Sequence, residues 1–348
     1  MTSSNPDNLP FTNARLKTRI QQEALRLGFD KVGMISLEAF SKNDFFKKRA
    51  ENLSKWLASG YQADMQWMVT HYEKRSDPAS LMEGTKSIVC VAMNYYTPDA
   101  YDPHDPSRLK IAKYARGTDY HDALKKRLKE LLAFIQQLDP EIRGRALTDS
   151  APILEKPLAE MAGIGWLGKN GNVITPELGS FVFLGELLLS VDLAQDAVAV
   201  ETSIEMPGCG SCTRCIDACP TEAILFDENH YGVVDASKCI SYWTIEHKGD
   251  EIPADIKANM QGWIFGCDIC QDVCPWNIKF AVPTTEPQFQ PRPWNSLPRA
   301  EEIVTMDDET FRERYRKSPI KRAKRAGLKR NVLAQVPFPL EGEGSMPY

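Results

Sequence analysis

The chain has 348 residues, 43% of them apolar and 26% charged, with a formal net charge of -5. That is ordinary globular composition, long enough for two or three domains, and it excludes a disordered tail and a protein that coats nucleic acid over its whole surface. The opening MTSSNPDNLP carries no basic or apolar leader, and no stretch approaches the roughly 18 apolar residues of a membrane helix, so a soluble, cytoplasmic protein is expected.

Asn13 to Leu27 places Leu16, Ile20, Ala24 and Leu27 at helical spacing and stops at Gly28, which predicts a helix. Lys31 to Leu37 reads as a strand. A second amphipathic helix, Phe45 to Ser59, presents Phe46, Ala50, Leu53 and Leu57 and ends at Gly60. The unbroken apolar run Ile88 to Met93 suits a strand buried on both faces, with Cys90 as a core residue. Asp119 can cap a helix whose stripe is Leu124, Leu128, Leu131, Ile135 and Leu138, and a short strand then ends at Asp149. Ala151 to Met161 reads as a helix, Gly165 to Asn172 as a glycine-rich turn, and Ser180 to Leu193 as a long apolar strand. Residues 1–200 are therefore expected to form one α/β domain and 201–285 a cysteine-rich module. Residues 286–348 read as a Pro-rich connector, a basic helical segment and a disordered tail, VPFPLEGEGSMPY.

Nine cysteines in a long chain without a leader point to metal ligation rather than disulfides. Cys209, Cys212, Cys215, Cys219 and Pro220 spell C-x2-C-x2-C-x3-C-P, the bacterial iron-sulfur signature, in which three thiolates wrap one cubane and the fourth reaches a neighbour. Cys239, Cys267, Cys270 and Cys274, the last followed by Pro275, supply the remaining ligands. The crossed pattern assigns Cys209, Cys212, Cys215 and Cys274 to one [4Fe-4S] cluster and Cys219, Cys239, Cys267 and Cys270 to the other. Paired zinc sites are the alternative, but four-cysteine zinc sites use separated C-x2-C pairs. Two adjacent clusters make an electron wire, and the domain ahead of it is large enough to hold the group being reduced. From Phe311 to Asn331 ten Lys or Arg stand against Glu313 alone, which suits either a solvated helical face or a nucleic-acid contact.

Longer stretches carry a resemblance: GYQADMQWM (Gly60 to Met68), KYARGTDYH (Lys113 to His121), TDSAPILEKPLAEMAGIGWLGKN (Thr148 to Asn170), GSFVFLGELL (Gly179 to Leu188), CISYWTIEHKG and GCDICQDVCPWN. With them, nearly the whole chain resembles the epoxyqueuosine reductases. The resemblance implies an α/β N-terminal cobalamin-binding domain similar to the reductive dehalogenases. A bacterial dicluster ferredoxin-like domain and a short basic helical C-terminal segment would follow it. It implies reduction of epoxyqueuosine to queuosine at the wobble position of the tRNA anticodon, the last step of queuosine biosynthesis. Two electrons and two protons would remove the epoxide oxygen as water, an external low-potential donor feeding the two clusters and they in turn cobalamin.

Asp149 matches the family's proton donor and lies at the end of a strand, where α/β sites generally lie. Read without the family, Asp149 or Ser150 ahead of Pro152 looks like a helix cap. Lys169, Asn172 and Ser180 lie in stretches that resemble the family's cofactor-facing loops, although GKNGN suits a structural turn equally well. Tyr114, Asp119 and Tyr120 are weaker candidates, and Trp67-Met68 reads as core packing. The D-x-H-x-x-G cobalamin motif is absent: Asp102-Pro103-His104 begins one, but Ser107 stands where glycine is needed, so no histidine is expected below the cobalt. Arg322, Lys324, Arg325, Lys329 and Arg330 match the start of the family's RNA-gripping helices and would meet phosphates of a tRNA bearing epoxyqueuosine. A monomer is expected. The alternatives are a corrinoid and iron-sulfur reductase of a small molecule, and a dicluster electron-transfer protein.

Overall fold

A computed structural model describes residues 12–38, 44–99, 108–193, 208–226 and 232–335. The Asp102-Pro103-His104 fragment with Ser107, the expected boundary at 200–201 and the tail after Gln335 lie outside the described residues.

Helix α1 (Asn13–Arg26) begins where Thr12 Oγ1 accepts the Arg15 backbone N–H, and ends ahead of Gly28, whose φ of +88° is left-handed backbone that glycine adopts without a Cβ penalty. Then come β1 (Lys31–Ser36), α2 (Asp44–Ala58), β2 (Ser87–Asn94), β3 (Lys110–Ile111), α3 (Tyr120–Leu138), β4 (Gly144–Thr148) and α4 (Glu155–Met161). A hairpin of β5 (Trp166–Leu167) and β6 (Val173–Ile174) leads into β7 (Val182–Leu189). The main sheet runs β1-β2-β7-β4 with every neighbour antiparallel. Antiparallel sheets commonly leave one face wet, yet β2 is buried at all eight positions. Helices on both sides explain it. Val89, Val91, Met93, Leu187 and Leu189 face α1 and α3, whereas Ile88, Cys90, Ala92 and Leu188 face Phe46 of α2 and Leu158 of α4. Cys90 is 1% exposed, a core residue.

Helix α4 is shorter than its apolar pattern predicts, starting at Glu155 rather than Ala151. Pro157 is the cause. In a helix begun at Ala151 it would sit in the interior and leave the Ile153 carbonyl without its N–H, whereas in the observed helix it falls in the first turn, where no intrahelical donor is required. Residues 150–154 instead close tight turns, Ala151 N–H onto the Thr148 carbonyl and Ile153 N–H onto that of Ala151.

The C-terminal half contributes the hairpin β8 (Ile224–Phe226) and β9 (Gly232–Val234), α5 (Ile240–Ile245), β10 (Trp263–Phe265), α6 (Asp308–Arg314) and α7 (Lys324–Leu333). Strand β10 pairs in parallel with β3, Trp263 opposite Lys110 and Phe265 opposite Ile111. Phe311, Tyr315, Ile320 and Leu328 pack with Ile111, Ile264 and Phe265, so the basic segment is folded onto this two-stranded sheet. Among the described residues no helix is long and apolar enough to cross a membrane.

Candidate active site

Strand β4 ends at Thr148 and leaves Asp149 just beyond it. The N-terminus of α3 comes to meet it. Tyr120 Oη donates to Asp149 Oδ2 at 2.5 Å, His121 Nε2 lies 3.5 Å from the same oxygen, and His121 Nδ1 lies 2.7 Å from Asp119 Oδ1. Asp119 also accepts the His121 backbone N–H, so the cap that starts α3 fixes the imidazole as well. Tyr120 is clamped between rings, 4.2 Å from Phe183 and 4.1 Å from His121. Asp149 does not cap α4. That helix starts after Leu154 with no side-chain cap, which corrects the cap reading and leaves the carboxyl available for chemistry.

Burial would raise the Asp149 carboxyl, but hydrogen bonds from His121 and Tyr120 and the charges of His121 and Lys156 outweigh it and hold the group at about 2. Burial would lower His121, but bonds to Asp119 and Asp149, with their charges, lift it to about 9. At neutral pH the site therefore holds a carboxylate beside an imidazolium. His121 was not singled out from the sequence; the D-x-H spacing of Asp119 and His121 is the signal that would have found it.

Behind Asp149, Glu186 of β7 and Glu155 at the start of α4 share the apolar layer that contains Cys90 and Leu158. Burial pushes both carboxyls above their ordinary range. Neither oxygen of Glu186, nor Oε1 of Glu155, meets a donor among the described residues, as expected for two acceptors joined by a shared proton. A raised carboxyl stabilises the fold fully below its unfolded value and loses that contribution as pH rises through the folded one. Glu186→Gln is thus expected to raise Tm little near about pH 4 and by several degrees near about pH 8. Thermal melts across that range check it; a pH-independent difference would mean that the pair is ionised throughout.

A cavity of about 360 Å³ passes Tyr95, Tyr114 and Asn172 and reaches Cys219, Cys239 and Cys267. An adjoining cavity of about 920 Å³ lies between Trp56, Met65 and Met68 on one side and Val233, Val234 and Tyr242 on the other. Lys156, Gly171 and Cys239 border both. Trp56 Nε1 donates to the Val234 carbonyl at 2.7 Å, and Tyr242 Oη donates to Asp64 at 2.8 Å, closing the seam between the two halves. Met68 lines this cavity and Trp67 is 41% exposed beneath the Arg75 guanidinium, so the pair is not core packing.

The cysteines fall into two groups. Cys215 lies in the field of Cys209, Cys274 and Cys212, and Cys274 in that of Cys209 and Cys212. Cys239 feels Cys219, Cys267 feels Cys270 and Cys239, and Cys270 feels Cys239, Cys215 and Cys219. Cys215 and Cys270 are where the two groups approach each other. Among the described residues no three His, Cys, Asp or Glu side chains close on a single ion. Burial and then neighbouring thiolates push Cys215 up to about 11, so four thiolates gathered there need cations between them, which is what a cluster's irons supply. The donor set fits such a group.

Lys169 donates to the Gly210 and Cys212 carbonyls at 2.8 and 3.1 Å and steadies the first cysteine loop. The β9 chain passes so close behind it that a Cβ on Gly232 would lie 1.5 Å from the Lys169 carbonyl oxygen. Ser180 is buried, donating to Gln271 Oε1 and accepting from Asn277 Nδ2, both at 2.9 Å. Of Lys169, Asn172 and Ser180, Asn172 is the one that borders these two cavities. Lys113, from the KYARG stretch, is buried with Asp99 and Asp272 each at 2.8 Å and Asp268 at 3.8 Å, while Arg116 reaches Asp99 at 2.6 Å. Asp268 and Asp272 alternate with Cys267, Cys270 and Cys274, so this network anchors the second cysteine loop to the N-terminal half.

In the basic segment, Arg322 pairs with Glu246 at 2.6 Å and Arg325 with Asp308 at 2.5 Å. Arg330 donates to the carbonyls of Trp243, His247 and Gly249. Lys324 is exposed and Lys329 half-buried. Lys321 acts on Asp119, and Arg322 and Asp149 act on each other, so the segment borders the Asp149 cleft.

Residues 75–150 match the family described as epoxyqueuosine reductase QueG, DUF1730, and residues 208–277 match the 4Fe-4S double cluster binding domain. The epoxyqueuosine reductase of Cellulophaga algicola is 43% identical over 90% of this chain and 95% of its own length, and that of Leadbetterella byssophila is 44% identical over 90% and 96%. A crystal structure of an epoxyqueuosine reductase with an epoxyqueuosine-modified tRNA stem loop superposes with a TM-score of 0.79 at 28% identity, covering 93% of this chain and 81% of that one. With the acidic site at the end of β4, the two cysteine sets and these matches along almost its full length, the chain belongs to the epoxyqueuosine reductase family.

Proposed function

We propose that the protein reduces epoxyqueuosine to queuosine in tRNA. The single observation that supports this most directly is the cavity of about 920 Å³ bordered by Cys239 and by Lys156, whose charge acts on Asp149. Cobalamin bound there, charged through the two [4Fe-4S] clusters, supplies a strongly nucleophilic low-potential metal centre. Trp56, Met65, Met68, Val233 and Tyr242 would pack against it, and an apolar cavity of this volume bordered by Lys156 and Cys239 fits a large flat cofactor next to an electron donor. Asn172 would meet it from the adjoining space. Lys169 and Ser180 would support it indirectly, by holding the cysteine loops.

Asp149 would pass a proton to the oxygen leaving the substrate, help typically worth about 10² to 10⁴ in rate. The exposed cations Lys321 and Lys324, with the half-buried Lys329, would meet tRNA phosphates, while Arg322, Arg325 and Arg330 would act mainly by shaping the surface that carries them. The division of labour would follow the chain: catalysis in residues 1–200, electron transfer in 201–285, RNA contact from 286 onward. The protein would work as a cytoplasmic monomer with an external low-potential donor.

Anaerobic protein, carrying about eight irons per chain for two clusters, is incubated with cobalamin, a low-potential reductant and tRNA bearing epoxyqueuosine, and the digested nucleosides are weighed. Loss of one oxygen mass is expected. An unchanged nucleoside from protein with full clusters and bound corrinoid would overturn the assignment.

A further inference from the structure

We propose that the proton Asp149 delivers is held on His121, with Asp119 as the residue that keeps it there; this rests on the reductase reading above. The geometry carries it. A carboxylate only accepts, so an imidazole set between Asp119 Oδ1 at 2.7 Å and Asp149 Oδ2 at 3.5 Å serves both only when each ring nitrogen carries a hydrogen. The competing donors at Asp149 are poorer stores. Tyr120 already donates to Asp149 Oδ2, and losing its proton would set a phenolate against that carboxylate in an aromatic stack with Phe183. Lys156 is committed to the Gly171 carbonyl at 2.5 Å.

The charged groups around His121 all bear on the same proton. Asp119 and Asp149 hold it directly, Lys321 opposes Asp119, and Arg322 and Lys156 oppose Asp149. With 30% of its side chain exposed, His121 also has its own route to water.

In the step, the proton leaves His121 Nε2 for Asp149 Oδ2, and passes from there to the oxygen whose bond to carbon is breaking. Over the whole reaction two C–O bonds are lost, two O–H bonds and one C=C bond are gained, and the two electrons arrive through the clusters. His121, now neutral and still held by Asp119, is reloaded from solvent for the second proton of the water released. Asp119 is thus a positioning residue, and His121 acts through Asp149.

The test compares wild-type holoenzyme with Asp119→Asn, which keeps the cap on α3, and with His121→Gln. NMR titration follows the imidazole directly; His121 is one of five histidines and is identified by the signal lost in His121→Gln. In wild type the signal and the alkaline limb of kcat are expected to titrate together near about 9. In Asp119→Asn both should move down by about one unit or more, and in His121→Gln the limb should vanish with kcat reduced at least about tenfold. A limb that stays in place while the imidazole titration moves would overturn the proposal, as would wild-type kcat in His121→Gln. Wild-type protein that leaves epoxyqueuosine intact would fail before any of these comparisons and would overturn the reductase reading, and this proposal with it.

Discussion

Asp149→Asn is expected to lower kcat on epoxyqueuosine-bearing tRNA by about 10² to 10⁴ while leaving cluster content and cofactor binding unchanged. The substitution is close to isosteric, and the amide oxygen can still accept from Tyr120 Oη. No helix depends on the side chain, because α4 starts after Leu154 without a side-chain cap. What disappears is the carboxylate that faces His121 Nε2. An amide does not take up a proton at neutral pH, so the relay stops one step short. Single-turnover kinetics with iron and corrinoid analysis on the same preparation would show it; a wild-type rate would remove Asp149 from the chemistry.

The largest structural effect is expected at Lys113. Lys113→Met keeps the length and packing of the stem but withdraws the cation that faces Asp99, Asp268 and Asp272, leaving Arg116 to oppose three carboxylates. Breaking a buried ion pair on one side costs about 3–5 kcal/mol. Because Asp268 and Asp272 sit between ligands of the second cluster, the loss should appear as that cluster's occupancy as well as a lower Tm. The sign with pH is fixed. Orphaned carboxylates take up protons more readily, so the defect should be smaller near about pH 5 than near about pH 8. Equal iron content and melting behaviour in the variant at both pH values would contradict this account.

What could be read from the sequence was what short-range spacing controls. Thiolate positions two and three residues apart can satisfy only a few metal geometries, so a domain that binds two clusters followed from counting. The continuous IVCVAM run declared a strand covered on both sides, which β2 is. The order β1-β2-β7-β4 and its antiparallel sense were not legible, since pairing β2 with β7 joins residues nearly a hundred positions apart and depends on every other element. Asp149 looked like a cap because Pro152 suits a first turn, and Pro157, five residues on, had the stronger claim. Lys113 and the arginines Arg322, Arg325 and Arg330 were hardest to place. A cation on a helical or turn segment has the same local signature whether it meets a phosphate, a buried carboxylate or a row of carbonyls, and only the folded neighbourhood distinguishes them.

The parallel pairing of β3 with β10 also sets an order of events during synthesis. When residues 110–113 leave the ribosome, the strand that completes their sheet and the aspartates that neutralise Lys113 are still some 150 residues from translation. The nascent N-terminal half must wait with an open edge and a buried-to-be cation, and it closes only once Trp263 to Cys274 has emerged with the last three cysteines. Iron delivery and completion of the N-terminal half then become one event, and a chain starved of iron is expected to be degraded as an unfinished protein rather than to accumulate as an empty one.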